Sequence, residues 1–387
     1  MKLALIRQRY NPFGGAERFV EQAMRSLDAQ HDVSLTLIAR DWRGGASESG
    51  ASVLLCDPPY VGRTWRDWSF ARAACAAARG KFDLVQSHER IACCDIYRAG
   101  DGVHAQWLLN RARTLGALRR MAQSASPWHR YTLAAERRLF ASARLRAVIC
   151  NSRMVAAEVR SHFGVDEGKL RVIHNGVDLD RFHPRLRVQW REAMRSRLGI
   201  PAEATVFLLL GSGFERKGVG RLLESFAGIA SSREDAFVVV VGADRHAERY
   251  RRQAEKLGVA RQVHFAGAQA DPAPWYGMAD AFVLPTLYDP FPNAALEAMA
   301  SGLPVATSMQ CGAAELLTAG TDGWVCDAMD TVALSGYLAF MSPPNLKLMG
   351  ERARAVAEGL SLAAMSEKLF QLYRELLGSD PLADQQS

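Results

Sequence analysis

The stretch AFVVVVGA, residues 236–243, contains an apolar run with no polar side chain in it. A strand with one solvent-exposed face alternates apolar and polar residues, whereas a strand covered on both faces is apolar throughout. This run therefore predicts a buried strand with helices on both faces, as found in the parallel sheets of α/β proteins.

Similar short runs alternate with amphipathic stretches of helix length along the rest of the chain. These runs are LALI, VSLTLIA, FDLVQS, AVICNS and LRVIHNGV in the first half, and TVFLLLGSG, VHFAG, AFVLP and PVATS in the second. Such alternation is typical of βαβ units. We therefore predict two Rossmann-like domains, each with a doubly wound parallel sheet, that face a central cleft where a ligand would bind.

The domain boundaries follow from where this pattern breaks. The chain has 387 residues, 49% of them apolar, which suits two domains better than one. The pattern breaks near Pro184, where charged residues cluster. We expect an N-terminal domain over residues 1–180, a C-terminal domain over 181–361 and a linker within 180–195. A helix at about 362–378 should pack back on the N-terminal domain.

The composition excludes several classes of protein. No stretch approaches the roughly 20 apolar residues of a membrane-spanning helix, and LALI at the start is too short for a secretory signal. The seven cysteines form no C-x-x-C pair, so we expect neither a zinc site nor a disulfide framework, and a reducing cytoplasm around the protein. The formal net charge of +7 favours an anionic partner.

The stretch LYDPFPNAALEAMASGLPV, residues 287–305, follows a predicted strand and contains a turn and then a helix. The helix should begin near Pro292 or Asn293 and end near Ala300. Proline suits the first helical turn, while the amide groups of Asn293 and Ala294 and the helix dipole attract an anion. We predict a phosphate-binding position at this helix start.

Two carboxylates, Asp289 and Glu297, flank this helix start with seven residues between them. Glu297 lies one turn inside the helix, where it could accept hydrogen bonds from two ribose hydroxyls. Asp289 precedes the turn, where it could hold sugar hydroxyls. Taken alone, the spacing more often belongs to an ordinary turn aspartate and a solvated helix glutamate.

Two adjacent cations, Arg216 and Lys217, follow the strand TVFLLL and a glycine-containing loop. A guanidinium beside an ammonium suits a pyrophosphate whose negative charge grows as a sugar departs. The alternative is a solvated charge cluster that opens a helix. Basic residues at a helix start are unfavourable with the helix dipole, which favours a bound anion there.

Taken together, these stretches resemble a known family. DPFPNAALEAMASGLPV resembles the E-x7-E signature of the retaining glycosyltransferases of family 4, which share the two-domain GT-B fold. GSGFERKGVGRLLESF, VHFAG and VIHNGVDLDRF resemble further motifs of the family, in the family's order. Asp289 stands where the family generally has glutamate, and its shorter side chain changes the reach to the donor sugar.

The resemblance implies transfer of a hexose from a nucleotide diphosphate sugar, UDP-glucose or a related UDP-hexose, without a metal ion or a cofactor. Arg216, Lys217 and Asp289, together with Asp101, are then the expected catalytic residues. The residues implied to bind the donor are Gly14, Gly15, Arg216, Lys217, Asp289, Asn293, Ala294 and Glu297.

The acceptor side depends on a narrower resemblance. YNPFGG near the N-terminus and IYRAGDGVHAQW, residues 96–107, resemble the lipopolysaccharide core glucosyltransferase I group of the family. That group has an aspartate near the reacting sugar, and Asp101 matches it. A carboxylate there can take the acceptor's proton, with His104 as the rival and His88 as a further acceptor-side candidate. The alternatives are an ordinary GDG turn and structural histidines.

The implied acceptor is a lipopolysaccharide core or another membrane-associated glycan. Segment 107–146 interleaves tryptophan and leucine with arginines, which suits an interfacial helix on anionic lipid headgroups as well as a solvated basic helix. No nucleic-acid-binding module is recognisable, so we expect no nucleic acid partner. We expect a cytoplasmic protein, peripheral on the inner face of the cytoplasmic membrane.

Two other functions stay open at this point. One is a catalytically inactive protein that binds nucleotide sugars and docks on a membrane. The other is a sugar-nucleotide epimerase with the same fold, which would convert the donor without an acceptor. Donor turnover and product analysis separate these functions.

Overall fold

The computed structural model describes residues 1–9, 34–42 and 52–378. The chain divides into two compact units, Met1–Gly176 together with Leu362–Ser387, and Val177–Ser361. Each unit contains one parallel sheet. The predicted α/β class with two Rossmann-like sheets is confirmed.

The described part of the first unit has a seven-stranded sheet. Its strands are β1 (Lys2–Ile6), β2 (Ser34–Ala39), β3 (Ser52–Leu55), β4 (Leu84–Ser87), β5 (Ile96–Arg98), β6 (Ala147–Cys150) and β7 (Leu170–Val172). All pair in parallel, in the order β3-β2-β1-β4-β5-β6-β7. Strand β3 is absent from the predicted runs, because this edge strand is mostly exposed, with Leu55 61% exposed, and lacks a buried apolar run.

Helices cover both faces of this sheet. The described helices of the unit are Gly62–Ala78, His104–Ala112, Ala117–Ala125, Pro127–Phe140, Arg153–Phe163 and Leu362–Leu377. Leu5 of β1 packs in a cluster with Leu369 of the last helix, while its neighbour Ile6 packs in another cluster with Phe70. Because successive side chains of a strand point to opposite faces, the two clusters lie on opposite sides of the sheet.

The second unit has a six-stranded sheet. Its strands are β8 (Thr205–Leu210), β9 (Ala236–Val241), β10 (Val263–Gly267), β11 (Ala281–Leu284), β12 (Val305–Ser308) and β13 (Gly323–Cys326). The order is β10-β9-β8-β11-β12-β13, with every pair parallel. Strands β8, β9 and β11 are buried almost throughout, as their apolar runs predict.

The helices of the second unit surround this sheet. They are Arg185–Leu198, Phe214–Lys217, Val219–Ala227, Ala247–Lys256, Ala273–Met278, Asn293–Ala300, Thr331–Phe340 and Pro343–Glu358. Across the described ranges of both units, no helix combines the length and apolar character needed to cross a bilayer.

The predicted linker is wrong, because Arg185–Leu198 is a helix of the second unit. Arg187, Arg191 and Arg195 recur every four residues, so they lie on one helix face. All three bind the buried carboxylate of Asp280, at 3.0, 2.8 and 2.6 Å respectively. Three arginines of the predicted linker therefore converge on one buried carboxylate.

The structure contains one disulfide, although the cysteine pattern predicts no disulfide framework. Cys75 of the helix Gly62–Ala78 and Cys93 of the loop after β4 form a disulfide, with their Cα atoms 5.9 Å apart. Their separation of 18 residues matches no motif, so only the fold brings them together. Disulfides are uncommon in reducing compartments, and this one removes the support that the cysteine pattern gave to a reducing cytoplasm.

In each sheet the order in which successive strands are added reverses at one place. This place lies between β1 and β4 in the first unit and between β8 and β11 in the second. At such a switch point the loops that follow the two neighbouring strands diverge and leave a crevice for a ligand. The short helix Phe214–Lys217 that follows β8 carries Arg216 and Lys217, and the loop after β11 carries Asp289. The sheet thus brings distant parts of the sequence to one edge.

Candidate functional site

Two cations and one carboxylate meet at the switch point of the second unit. Nζ of Lys217 donates a hydrogen bond to Oδ2 of Asp289 at 2.6 Å, and Nη1 of Arg216 donates to the same oxygen at 3.0 Å. Lys217 and Asp289 are buried, whereas the side chain of Arg216 is 38% exposed. All three residues are sequence-predicted site residues, but their mutual contact is not predictable from the motifs.

Backbone contacts hold the two loops of this cluster together. The carbonyl oxygen of Arg216 accepts a hydrogen bond from the amide of Leu287 at 2.8 Å. Gly218 follows the short helix Phe214–Lys217 with φ +79°, and a Cβ there would lie 1.9 Å from the carbonyl oxygen of Pro285. Only glycine allows both this backbone conformation and this close approach.

The charges of the cluster do not cancel. Burial raises the pKa of Asp289, but the charges of Lys217 and Arg216 outweigh this effect and hold the pKa below its usual range. Two cations against one carboxylate leave a net charge of +1. Oδ1 of Asp289 accepts no hydrogen bond from the part of the chain that the structure describes. The cluster can therefore attract an anion and also accept a hydroxyl hydrogen bond.

Glu297 lies one turn inside the helix Asn293–Ala300 and is 5% exposed. Its Oε2 accepts a hydrogen bond from the hydroxyl of Tyr276 at 2.9 Å. Tyr276 belongs to the helix Ala273–Met278 and packs edge-on against Phe182. Sequence patterns do not reveal Tyr276, because a tyrosine on a buried helix carries no signal for a carboxylate 21 residues away.

The helix Asn293–Ala300 starts directly after Pro292, which confirms its predicted bounds. Asn293 and Ala294 are half-buried, whereas the rest of the helix is buried. The first amides of an α-helix have no acceptor within the helix and carry partial positive charge. This helix start, four residues after Asp289, suits a phosphate oxygen.

The first unit gathers charged residues at its own switch point. Nη1 of Arg7, after β1, lies 3.5 Å from Oε1 of Glu89 and 3.7 Å from Oδ2 of Asp101. The side chain of Asp101 is 56% exposed, so a substrate can reach it. Gly102 has φ +67° and its amide donates a hydrogen bond to the carbonyl oxygen of Ala99 at 3.0 Å, so the GDG segment is a turn that presents Asp101.

The two histidines predicted on the acceptor side are both buried. Burial, reinforced by neighbouring arginines, holds the pKa of His88 well below its usual value. Nε2 of His104 lies 3.0 Å from Nδ1 of His129, and burial lowers the pKa of His104 to about 3. Both histidines are shielded from a substrate, whereas the side chain of Asp101 is 56% exposed, which leaves Asp101 as the better-placed group.

The predicted glycine pair and the predicted lack of a metal site concern two further parts of the chain. Gly14 and Gly15, expected to approach the donor phosphates, lie outside the described residues. Among the residues that are described, no group of three or more histidine, cysteine, aspartate or glutamate side chains could hold a metal ion.

Two family models match the chain. The model described as Glycosyltransferase Family 4 matches residues 13–181, and the model described as Glycosyl transferases group 1 matches residues 191–354. The second match contains the cluster of Arg216, Lys217 and Asp289 as well as Glu297.

Individual proteins similar to this chain are also glycosyltransferases. The lipopolysaccharide glucosyltransferase WaaG of Escherichia coli K12 is 26% identical over 373 residues, which cover 95% of this chain and 97% of that protein. A crystal structure of WaaG has a TM-score of 0.80 at 25% identity, and the match covers 95% of this chain and 98% of that one. A D-inositol 3-phosphate glycosyltransferase of Streptomyces scabiei is 30% identical over 239 residues, 58% of this chain and 53% of that protein. The chain therefore belongs to the GT-B glycosyltransferases that combine a family 4 domain with a group 1 domain.

Proposed function

We propose that the protein transfers a hexose, with retention of anomeric configuration, from UDP-glucose or a related UDP-hexose to a lipopolysaccharide core or another membrane-associated glycan. The observation that carries the proposal is the contact of Lys217 and Arg216 with Asp289, next to the helix that bears Glu297. The similarity to a lipopolysaccharide glucosyltransferase over 95% of the chain supports the acceptor class.

The nucleotide is held by the second unit in this proposal. The ribose hydroxyls donate hydrogen bonds to Glu297, whose carboxylate is oriented by Tyr276. The diphosphate accepts hydrogen bonds from the first amides of the helix Asn293–Ala300 on one side and contacts the cations Arg216 and Lys217 on the other. Arg216 is exposed enough to turn toward a phosphate, whereas Lys217 stays buried beside Asp289.

The chemistry requires stabilisation of the leaving group. When the bond between C1 of the hexose and the diphosphate oxygen breaks, its electron pair stays on the diphosphate, and negative charge grows there. Lys217 and Arg216, which together outweigh the charge of Asp289, stabilise that charge. Oδ1 of Asp289 accepts a hydrogen bond from a sugar hydroxyl. Asp101 takes the proton of the acceptor hydroxyl as the new C1–O bond forms, and no metal ion or covalent enzyme intermediate is required.

The proposed location is the inner face of the cytoplasmic membrane, with peripheral attachment. The helix Ala117–Ala125 has no buried residue. Its Leu118 and Met121 are 82% and 70% exposed, beside the exposed Arg119 and Arg120. Apolar and basic side chains together on an exposed helix suit adsorption to anionic headgroups.

Incubation of the purified protein with UDP-glucose and a cell-envelope extract tests the proposal. We expect acceptor-dependent release of UDP and, by NMR of the product, an α-linked hexose. Tight UDP binding without release would instead favour the inactive binding protein. Conversion of UDP-glucose to another UDP-hexose without acceptor would favour the epimerase.

A further inference from the structure

A groove in the first unit is not used by the proposed transfer reaction. It lies between the helix Gly62–Ala78 and the helix Pro127–Phe140 and has a cavity volume of about 610 Å³. Small-molecule sites usually occupy about 300–1,000 Å³. The groove is therefore large enough to hold a ligand of that size.

The interior of the groove is apolar. Its walls and floor include Trp68, Ala71, Ile91, Ala92, Tyr131 and Ala135. The disulfide between Cys75 and Cys93 joins the helix of one wall to the loop of the floor. The interior therefore offers an apolar surface to a ligand.

The rim of the groove is basic. Arg72, Arg79 and Arg138 line it and are exposed, while no acidic residue of the described chain lines it. A fourth arginine, Arg90, is already bound to Glu136 at 2.9 Å. Three guanidinium groups without a carboxylate partner among the described residues therefore border an apolar interior.

This combination identifies the chemistry of the ligand. The guanidinium group of arginine can donate two parallel hydrogen bonds to two oxygens of one phosphate. The basic rim therefore favours a ligand with a phosphate group over a purely apolar ligand. The apolar interior favours an alkyl chain, which a free phosphate or a nucleotide lacks. Trp65, 51% exposed, lies one turn before Trp68 and extends the apolar surface beyond the groove.

We propose that the groove binds one anionic phospholipid of a bilayer, with its phosphate on the arginine rim and the first part of one acyl chain against the apolar interior. The inference rests on the proposed membrane contact and deepens it. The exposed helix Ala117–Ala125 adsorbs through diffuse charge, whereas the groove holds a single lipid molecule. The site also adds the helix Gly62–Ala78 to the membrane-facing surface, beyond the predicted segment 107–146.

Calorimetric titration with dihexanoyl phosphatidylglycerol below its micelle concentration tests the site. We expect one lipid per chain. The double variant Arg72→Glu/Arg138→Glu and the groove-filling variant Ala76→Trp should each bind at least about tenfold more weakly. Arg249→Glu/Arg252→Glu is the matched control, because it changes the net charge equally on an exposed helix of the second unit, outside the groove, and it should change the affinity less than about twofold.

Circular dichroism establishes that each variant is folded, and Ala76→Trp keeps the test valid if the charge reversal disturbs folding. Equal losses in the groove pair and the control pair would overturn the proposal in favour of diffuse adsorption. Equal binding of dihexanoyl phosphatidylcholine, or of inorganic phosphate alone, would overturn it too. A protein that binds the lipid at this groove but transfers no hexose refutes only the proposed transferase activity.

Discussion

Lys217 and Asp289 are 72 residues apart in the sequence, yet Nζ of the lysine lies 2.6 Å from Oδ2 of the aspartate. They meet because they follow the neighbouring strands β8 and β11, which flank the switch point of the second sheet. Arg216 adds a second cation to the same oxygen. The excess positive charge of this cluster is what suits it to a departing diphosphate.

Removal of one cation tests that role. Lys217→Ala should lower kcat for hexose transfer by well over tenfold, since loss of one charge-stabilising group commonly costs about 3 kcal/mol of barrier. The measurement is UDP release at saturating donor. Lys256→Ala removes an exposed lysine of the same unit and should retain wild-type activity. Wild-type kcat in Lys217→Ala would contradict the assigned role.

The hydroxyl of Tyr276 should matter for nucleotide binding. Tyr276→Phe keeps the ring but removes the hydrogen bond to Glu297, and hydrogen bonds to charged groups contribute about 1.5–3 kcal/mol. We expect UDP affinity to fall by about tenfold or more in calorimetry, and further in Glu297→Ala. Tyr337→Phe, which also removes a hydroxyl hydrogen bond in the second unit, is the control. Unchanged UDP affinity in both Tyr276→Phe and Glu297→Ala would remove these residues from the site.

The buried ion network around Asp280 should control the stability of the second unit. Burial raises the pKa of Asp280, but three arginines outweigh it, and the pKa lies below the usual range. Asp280→Asn leaves Arg195, 1% exposed, without its carboxylate, so the free energy of unfolding should fall by about 3–5 kcal/mol.

Urea denaturation checks this value. Asp271→Asn breaks the exposed ion pair with Arg181, in which the side chains are 55% and 46% exposed, and should cost less than about 1 kcal/mol. Similar losses in the two variants would show that the network around Asp280 contributes no more than a surface pair.

Acid should destabilise the first unit before the carboxylates titrate. The pKa of His88 lies well below its usual value and that of His104 is about 3, so both are neutral in the folded state. In the unfolded chain histidine binds a proton near pH 6.5. The unfolded state therefore gains protons as the pH falls below that value, and stability drops by up to about 1.4 kcal/mol per pH unit for each histidine.

Urea midpoints of the first unit between about pH 7.5 and about pH 5.5 measure this slope. His104→Gln should reduce the slope, whereas His246→Gln, at an exposed position, should leave it unchanged. A midpoint independent of pH over this range would show that the buried histidines do not control the acid response.

The predictable parts of the fold are those whose signal is local. The apolar run of β9 predicts a strand covered on both faces, because every side chain in it needs burial. Edge strand β3 lacks that signal. The helix Arg185–Leu198 resembles a solvated linker because its arginines face Asp280, a residue about 90 positions away that no local pattern reveals.

The candidate site likewise has parts that the local sequence predicts and parts that it does not. The start of the helix Asn293–Ala300 and the position of Glu297 follow from proline, helix periodicity and spacing. The hydrogen bond from the hydroxyl of Tyr276 depends on how distant segments pack, so sequence spacing cannot predict it. Outside the site, the same is true of the disulfide between Cys75 and Cys93.

A crystal structure of the protein with UDP is the most direct test of the proposed donor site. We expect the diphosphate within hydrogen-bond distance of Lys217 or Arg216, about 3 Å, and the ribose hydroxyls on Glu297. UDP bound elsewhere, with Lys217 and Glu297 both out of its reach, would contradict the proposal that this cluster holds the leaving group.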